Sequence, residues 1–311
     1  MDQRTGGRGA RAQRTWSTIR ARLASPHPIL ALAVLCWAGN LTVGRAARDV
    51  IPPIGLNFWR WMFALAILLP FALPQVIRYR HVIVREWRIL TALALSGIAF
   101  FQSAVYTGLS LAPAINAALY QATSPLFFVL LSWLFYSERI TAGQALGIVV
   151  SMAGAVAVVV RGRLENLLEL SFASGDLWLM ASVPSWALYS VLLRRRPAEL
   201  SPLALIAAVG AFALVLLAPF HAAELASGAV IVFGIESLAS LLYVSLFASV
   251  IAFICWNRGV REVGPNVAGV YIQLMPVFGA LLAVTFLGER LASYHWFGAA
   301  LVLIGILLSR R

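Results

Sequence analysis

The sequence predicts an all-α polytopic membrane protein of ten transmembrane helices, built as two inverted five-helix repeats with both termini cytoplasmic. Three observations lead there. Hydrophobic residues make up 61% of the 311 and charged residues 12%, with a mean hydropathy of +0.86, where a soluble domain carries about 25% charged residues. Residues 108–154 laid on 259–305, 151 positions further on, give 12 identities in 47. The 24 basic residues, every one an Arg, fall in short breaks between apolar runs and mostly on one side of them.

Apolar runs long enough to cross ~30 Å of hydrocarbon lie at 29–47, 53–77, 89–111, 114–136, 141–160, 175–193, 202–220, 237–256, 265–287 and 291–309. With the N-terminus inside, the cytoplasmic segments hold 18 Arg and the opposite segments 5, leaving Arg60 within a span. That excess is the positive-inside pattern, and removing any one span scrambles it. The net charge of +12 is therefore read as topology. No basic face interleaved with aromatics accompanies it, so no nucleic-acid partner is expected.

Residues 1–28 are Arg-rich and precede an apolar run, as a signal peptide would. A fainter repeat argues against cleavage: at an offset of 149, Trp37, Arg45, Pro53 and Pro70 fall on Trp186, Arg194, Pro202 and Pro219. Span 1 is thus the counterpart of span 6. The chain divides into a cytoplasmic tail 1–28, expected to be disordered, repeat 1 at 29–160, an extracytoplasmic linker 161–173, and repeat 2 at 174–311. Five spans per copy is odd, so the second copy enters the membrane from the opposite side. A site at the interface of such inverted repeats can face either side in turn, the layout of a secondary transporter.

Leu and Phe identities are cheap in so apolar a chain. Tyr120/Tyr271, Pro125/Pro276, Glu138-Arg139/Glu289-Arg290, Gly147/Gly298 and Gly154/Gly305 are not. The stretches "SPLFFVLLSWLFYSERITAGQALGIVVSMAGA" and "MPVFGALLAVTFLGERLASYHWFGAALVLIGI", each ending one half, resemble the drug/metabolite transporter superfamily. The resemblance runs over about 29–309 and is narrower to the EamA branch and its YddG-like amino-acid exporters. It implies export of amino acids (neutral or aromatic ones, Met and Thr) and related metabolites across the bacterial inner membrane by alternating access. It also implies a cavity lined by spans 1, 3, 4, 6, 8 and 9, with 5 and 10 peripheral. A drug-like cation or a nucleotide sugar is the alternative cargo. The small multidrug pumps of the same superfamily carry a membrane-embedded Glu in span 1. Here that span, "ILALAVLCWAGNLTVGRAA", has none.

Other classes find little support. There is no G-x-x-x-x-G-K-[ST], no G-x-S-x-G and no H-E-x-x-H, so neither ATP-driven transport nor a membrane enzyme is expected, and no cofactor or metal. The expected partners are a small-molecule substrate and the bilayer, with self-association left open.

The candidate substrate-binding residues come from span polarity, because an amide in hydrocarbon must pair or face water. They are Trp37 and Asn40 in span 1, Gln102 and Tyr106 at i, i+4 in span 3, and Asn116, Tyr120 and Gln121 in span 4. The second half adds Trp186, Tyr189, Tyr243, Tyr271 and Gln273. Pro125 and Pro276 sit mid-span, where a missing backbone donor bends a helix, and are read as hinges. Glu138 and Glu289 are read as gate anchors at the span ends. Arg60, seven residues into span 2, is expected to snorkel to the nearer headgroups. The spans are read as free of acidic residues, which suggests downhill flux.

Overall fold

The computed structural model describes residues 25–47, 50–163, 165, 172–232, 234–287 and 290–310. Most of the predicted tail, part of the linker and Glu289 lie outside the described residues. Among those described, every regular element is helical. Nine helices among the described residues are long and apolar enough to cross a membrane: α1 Pro26–Arg45, α2 Pro53–Arg78, α3 Trp87–Leu111, α4 Ile115–Tyr136, α5 Ala142–Val159, α6 Gly175–Arg195, α7 Pro202–Ala226, α8 Ile235–Val263 and α9 Pro265–Phe286. The tenth, α10 Ser293–Ser309, has 17 residues and spans about 25 Å at 1.5 Å per residue. Each of the ten apolar runs thus corresponds to one helix, and the all-helical membrane architecture stands.

The helices begin where local chemistry tells them to. Proline, which needs no backbone donor, opens α1, α2, α7 and α9 within the first turn. A capping box opens α5: Gln144 N–H donates to Thr141 Oγ1 (3.2 Å) and Thr141 N–H to Gln144 Oε1 (3.0 Å). The start of α2 is strapped from another helix. Both Glu224 oxygens, in the last turn of α7, accept the Ile54 and Gly55 amides (2.9 and 2.7 Å).

Four spans are irregular, in pairs that match across the repeat. Both α3 and α8 contain a π-helical segment, Leu95–Ala99 and Val244–Ile251, and the two begin 149 residues apart. The register of 151 holds from Gly108/Gly259 onward. The two extra residues of the second copy therefore fall near its π segment, which is eight residues long against five. Both α4 and α9 are broken just ahead of their prolines, at Thr123 and at Ile272–Gln273.

Spans 5 and 10 pack on each other through the glycines that the repeat shares, Gly147, Gly154, Gly298 and Gly305. A Cβ on Gly305 would stand 2.5 Å from the Gly147 carbonyl, and one on Gly154 2.6 Å from the Gly298 carbonyl. This is the close backbone approach that membrane helices gain from glycine.

Candidate functional site

Two adjoining hollows lie where the repeats meet. The narrower, about 30 Å³, is lined by Trp37, Asn40, Gln102, Gln121 and Trp186 among others. The wider, about 130 Å³, is lined by Thr42, Gln121, Gln273 and Pro276 among others. They share Leu41, Gln121, Ile272 and Met275. Exposed Thr42 marks one end of the wider hollow.

One wall is aromatic. Trp37 meets Trp186 edge-on at 4.9 Å between ring centroids, and Phe253 and Trp256 lie 5.6 and 5.5 Å from Trp186. Such edge and offset pairs add to the burial that holds large rings. The Trp256 indole N–H donates to Ser190 Oγ (3.0 Å). Tyr189 stacks on the far side of Trp186 at 5.0 Å and donates to Asn257 Oδ1 (2.8 Å), behind the wall.

The other wall is polar, and Arg60 organises it. Its side chain does not reach for the headgroups; it is fully buried and turned into the bundle. Nε donates to Ser249 Oγ (2.5 Å) and Nη2 to the Ala248 carbonyl (2.7 Å). Nη1 meets Gln102 Oε1 (2.5 Å), Tyr106 Oη (2.7 Å) and Asn40 Oδ1 (3.4 Å). Tyr106 in turn donates to Asn40 Oδ1 (2.7 Å). Snorkelling fails because the interior supplies acceptors for the whole fork, two of them from the π segment of α8. A π turn skews the backbone ladder, and the Ala248 carbonyl serves both Arg60 and the Trp37 indole N–H (3.0 Å). Neither the inward rotation of Arg60 nor the role of residues 248 and 249 has a signal in an apolar sequence.

The two helix breaks touch. Gln273 Nε2, at the break of α9, donates to the Ala122 carbonyl at the break of α4 (2.7 Å). Residues 122 and 273 are 151 apart, so each is the other's counterpart and the pseudo-twofold axis passes between them. Gln273 Oε1 is buried with no hydrogen-bond partner among the described residues.

The remaining candidates sit toward the two ends. Asn116 Nδ2 donates to both oxygens of Asp176 (2.9 and 3.1 Å), and Asp176 also accepts the Ala173 amide (2.8 Å). Asp176 is the second residue of α6 and 1% exposed. The reading of acid-free spans overlooked it, and with it goes the ground for inferring downhill flux. Tyr120, partly buried, packs with the apolar cluster beside this pair. At the other end Tyr271 Oη lies 2.6 Å from His27 Nδ1, and Arg310 Nε donates to both (3.2 Å each). His27 and Asp176 are 149 apart and Tyr120 and Tyr271 are 151 apart, so the two clusters are counterparts. Tyr243 donates to the Cys36 carbonyl (3.1 Å), away from both hollows.

Glu138 pairs with Arg194 (2.5 Å), and the Arg194 and Arg195 guanidinium carbons stand 5.1 and 5.7 Å from the Tyr136 ring. The end of α4 is thereby tied to the end of α6. Beyond the spans, the Glu199 carboxyl is held below its usual range by a backbone hydrogen bond and then by Arg85 at 3.0 Å.

A duplicated bundle with broken and π-bulged helices around an amphipathic hollow is the layout of a membrane transporter. The chain belongs to the EamA-like transporter family, whose pattern it matches twice, over residues 26–160 and again over 173–311. An uncharacterized transporter of Archaeoglobus fulgidus is 27% identical over 91% of this chain and 96% of its own length. A probable terminal-alkyne amino-acid exporter of Streptantibioticus cattleyicolor is 26% identical, covering 91% of this chain and 92% of its own. A solved crystal structure superposes with a TM-score of 0.75 at 22% identity, over 92% of this chain and 96% of that one. That last likeness shows the fold.

Proposed function

We propose that the protein is a secondary carrier exporting neutral and aromatic amino acids, Met and Thr among them, and related metabolites across a bacterial inner membrane. The observation that carries the reading is the hollow itself. It lies at the repeat interface with an aromatic wall opposite a wall of amides, which suits a zwitterion with an apolar side chain. The likeness to an amino-acid exporter supports the same substrate class.

Alternating access follows from the duplicated breaks. Pro125 and Pro276 stand just after the kinks of α4 and α9, where bending costs no backbone donor. In the topology with cytoplasmic termini, Glu138–Arg194 and His27–Tyr271–Arg310 close the cytoplasmic end, and the hollow extends past Thr42 toward the outside. The test is uptake of labelled Met, Phe, Thr and Ala by proteoliposomes, with His as control. Saturable, protein-dependent flux of the apolar members supports the reading; absence of flux for all of them overturns it.

A further inference from the structure

Arg60 gives the substrate class a sharper form. A guanidinium has only donors, so each amide it meets must present its oxygen. That fixes the orientation of two amides. Asn40 must turn Oδ1 and Gln102 must turn Oε1 toward Arg60, which sends Asn40 Nδ2 and Gln102 Nε2 the other way. No hydrogen bond among the described residues engages either nitrogen, and neither is sealed off. Both residues line the narrower hollow, although as whole residues they are 5% and 2% exposed.

The charge behind them is uncompensated. Every acceptor of Arg60 is neutral, and no carboxylate pairs with it among the described residues. A lone cation buried at membrane depth is costly and marks function more often than packing. Its field is felt most strongly in the water-poor space beside it. Fixed amide donors with a cation at their back are preorganised for negative charge.

We infer that Asn40 and Gln102 form a carboxylate-binding subsite in the hollow, held in orientation and electrostatically biased by Arg60. The subsite takes a small organic acid through its carboxylate. Arg60 acts as a positioning residue, through the amides rather than by contact. The inference rests on the proposed transport of amino acids but requires only the carboxylate, so the two separate experimentally.

The experiment uses the full chain in phosphatidylcholine nanodiscs, which carry no anionic lipid. Binding is followed by tryptophan fluorescence, since Trp37 and Trp186 line the hollow. Three probes divide the zwitterion: phenylalanine, 3-phenylpropanoate with only the carboxylate, and phenethylamine with only the amine. Phenylalanine and 3-phenylpropanoate are expected to bind, and phenethylamine at least about tenfold more weakly. The critical variant is Gln102→Glu. It places a carboxylate beside Arg60, so the fold keeps or gains stability, while affinity for both acids drops about tenfold or more and preference shifts toward the amine. Arg60→Met is a second variant, and where it lowers folded yield, Gln102→Glu carries the test alone.

Equal binding of the acid and the amine by the wild type overturns the inference, as does undiminished acid binding by a folded Gln102→Glu, or binding of none of the three. Selective acid binding without amino-acid flux upholds the subsite and overturns the export reading. Amino-acid flux without acid preference does the reverse.

Discussion

Around the narrower hollow the polar side chains, Asn40, Gln102 and Gln121, all come from the first repeat, which shares the aromatic lining, through Trp37 and Phe101, with Trp186 of the second. Span 2 carries Asn57 and Arg60 where, 149 residues on, span 7 carries Ile206 and Val209. Gln102 in span 3 has only apolar residues opposite it in span 8, Ile251 in one register and Phe253 in the other. Gln121 faces Ile272 as its counterpart. Against this, Trp186 lines the hollow with Phe253 and Trp256 packed against it, and the Ala248 carbonyl and Ser249 receive Arg60. The scaffold features (breaks, π segments, glycine stripe) occur in both halves. What is duplicated is the pattern of breaks and close packing; what has diverged is the lining of the narrower hollow.

That contrast can be broken experimentally. The largest effects should be symmetric: Gly154→Leu and Gly305→Leu each push side-chain atoms into a facing backbone. Overpacking of about 1–3 kcal/mol or more is expected from both, seen as lost folded yield or a lower Tm. A tolerated substitution in one copy alone would show that the α5–α10 contact is not shared between them.

Next comes the divergence. Arg60→Met orphans the acceptors it gathers and should abolish flux with a stability loss of about 2–4 kcal/mol. Val209→Met, at the matching position, enlarges a buried side chain; it should cost about 1–3 kcal/mol and leave flux within about twofold. Parallel thermal melts and uptake assays decide it, and equal damage from the two would mean that span 7 shares in the polar site.

Smaller still is Glu138→Gln. The pair with Arg194 is partly exposed, so a cost of about 0.5 kcal/mol is expected, with a change in flux larger than the change in Tm if the pair acts as a latch. Last is Glu199→Gln. Its carboxyl is held low, so its contribution is present above the ordinary carboxylate pKa and is lost as pH falls through the lowered one. Being on the surface, it should leave the Tm at pH 7 unchanged. A clear shift would assign that loop a structural role.

Much of the scaffold was legible in the sequence because it depends on runs and repeats: the ten apolar stretches, the odd number per half, the prolines that follow the helix breaks. Within the site, Trp37, Asn40, Gln102, Gln121, Trp186 and Gln273 stood out as polar or aromatic residues in hydrocarbon, and the structure brings them to the two hollows. The same criterion also chose Tyr189, Tyr243 and Tyr271, whose hydroxyls find partners elsewhere. Polarity in a span reports that a partner exists, and the partner is as often protein as substrate. Arg60 was misread because depth along a helix says nothing about rotation around it. Asp176 was passed over because it stands at the first turn of its span, where a charge ordinarily meets water. Ala248 contributes a carbonyl that no side-chain reading can reveal.

The contact between Gln273 and the Ala122 carbonyl has one more consequence. Two separate, identical five-helix chains related by a true twofold would present the same side chain from both sides of that axis. Amide would face amide, or methyl would face methyl. Joining both copies in one polypeptide removes that constraint where the two helix breaks touch. A long side chain on one side of the crossing can then be matched by a short one on the other, so the contact between the halves is a lock and key that two identical chains cannot form.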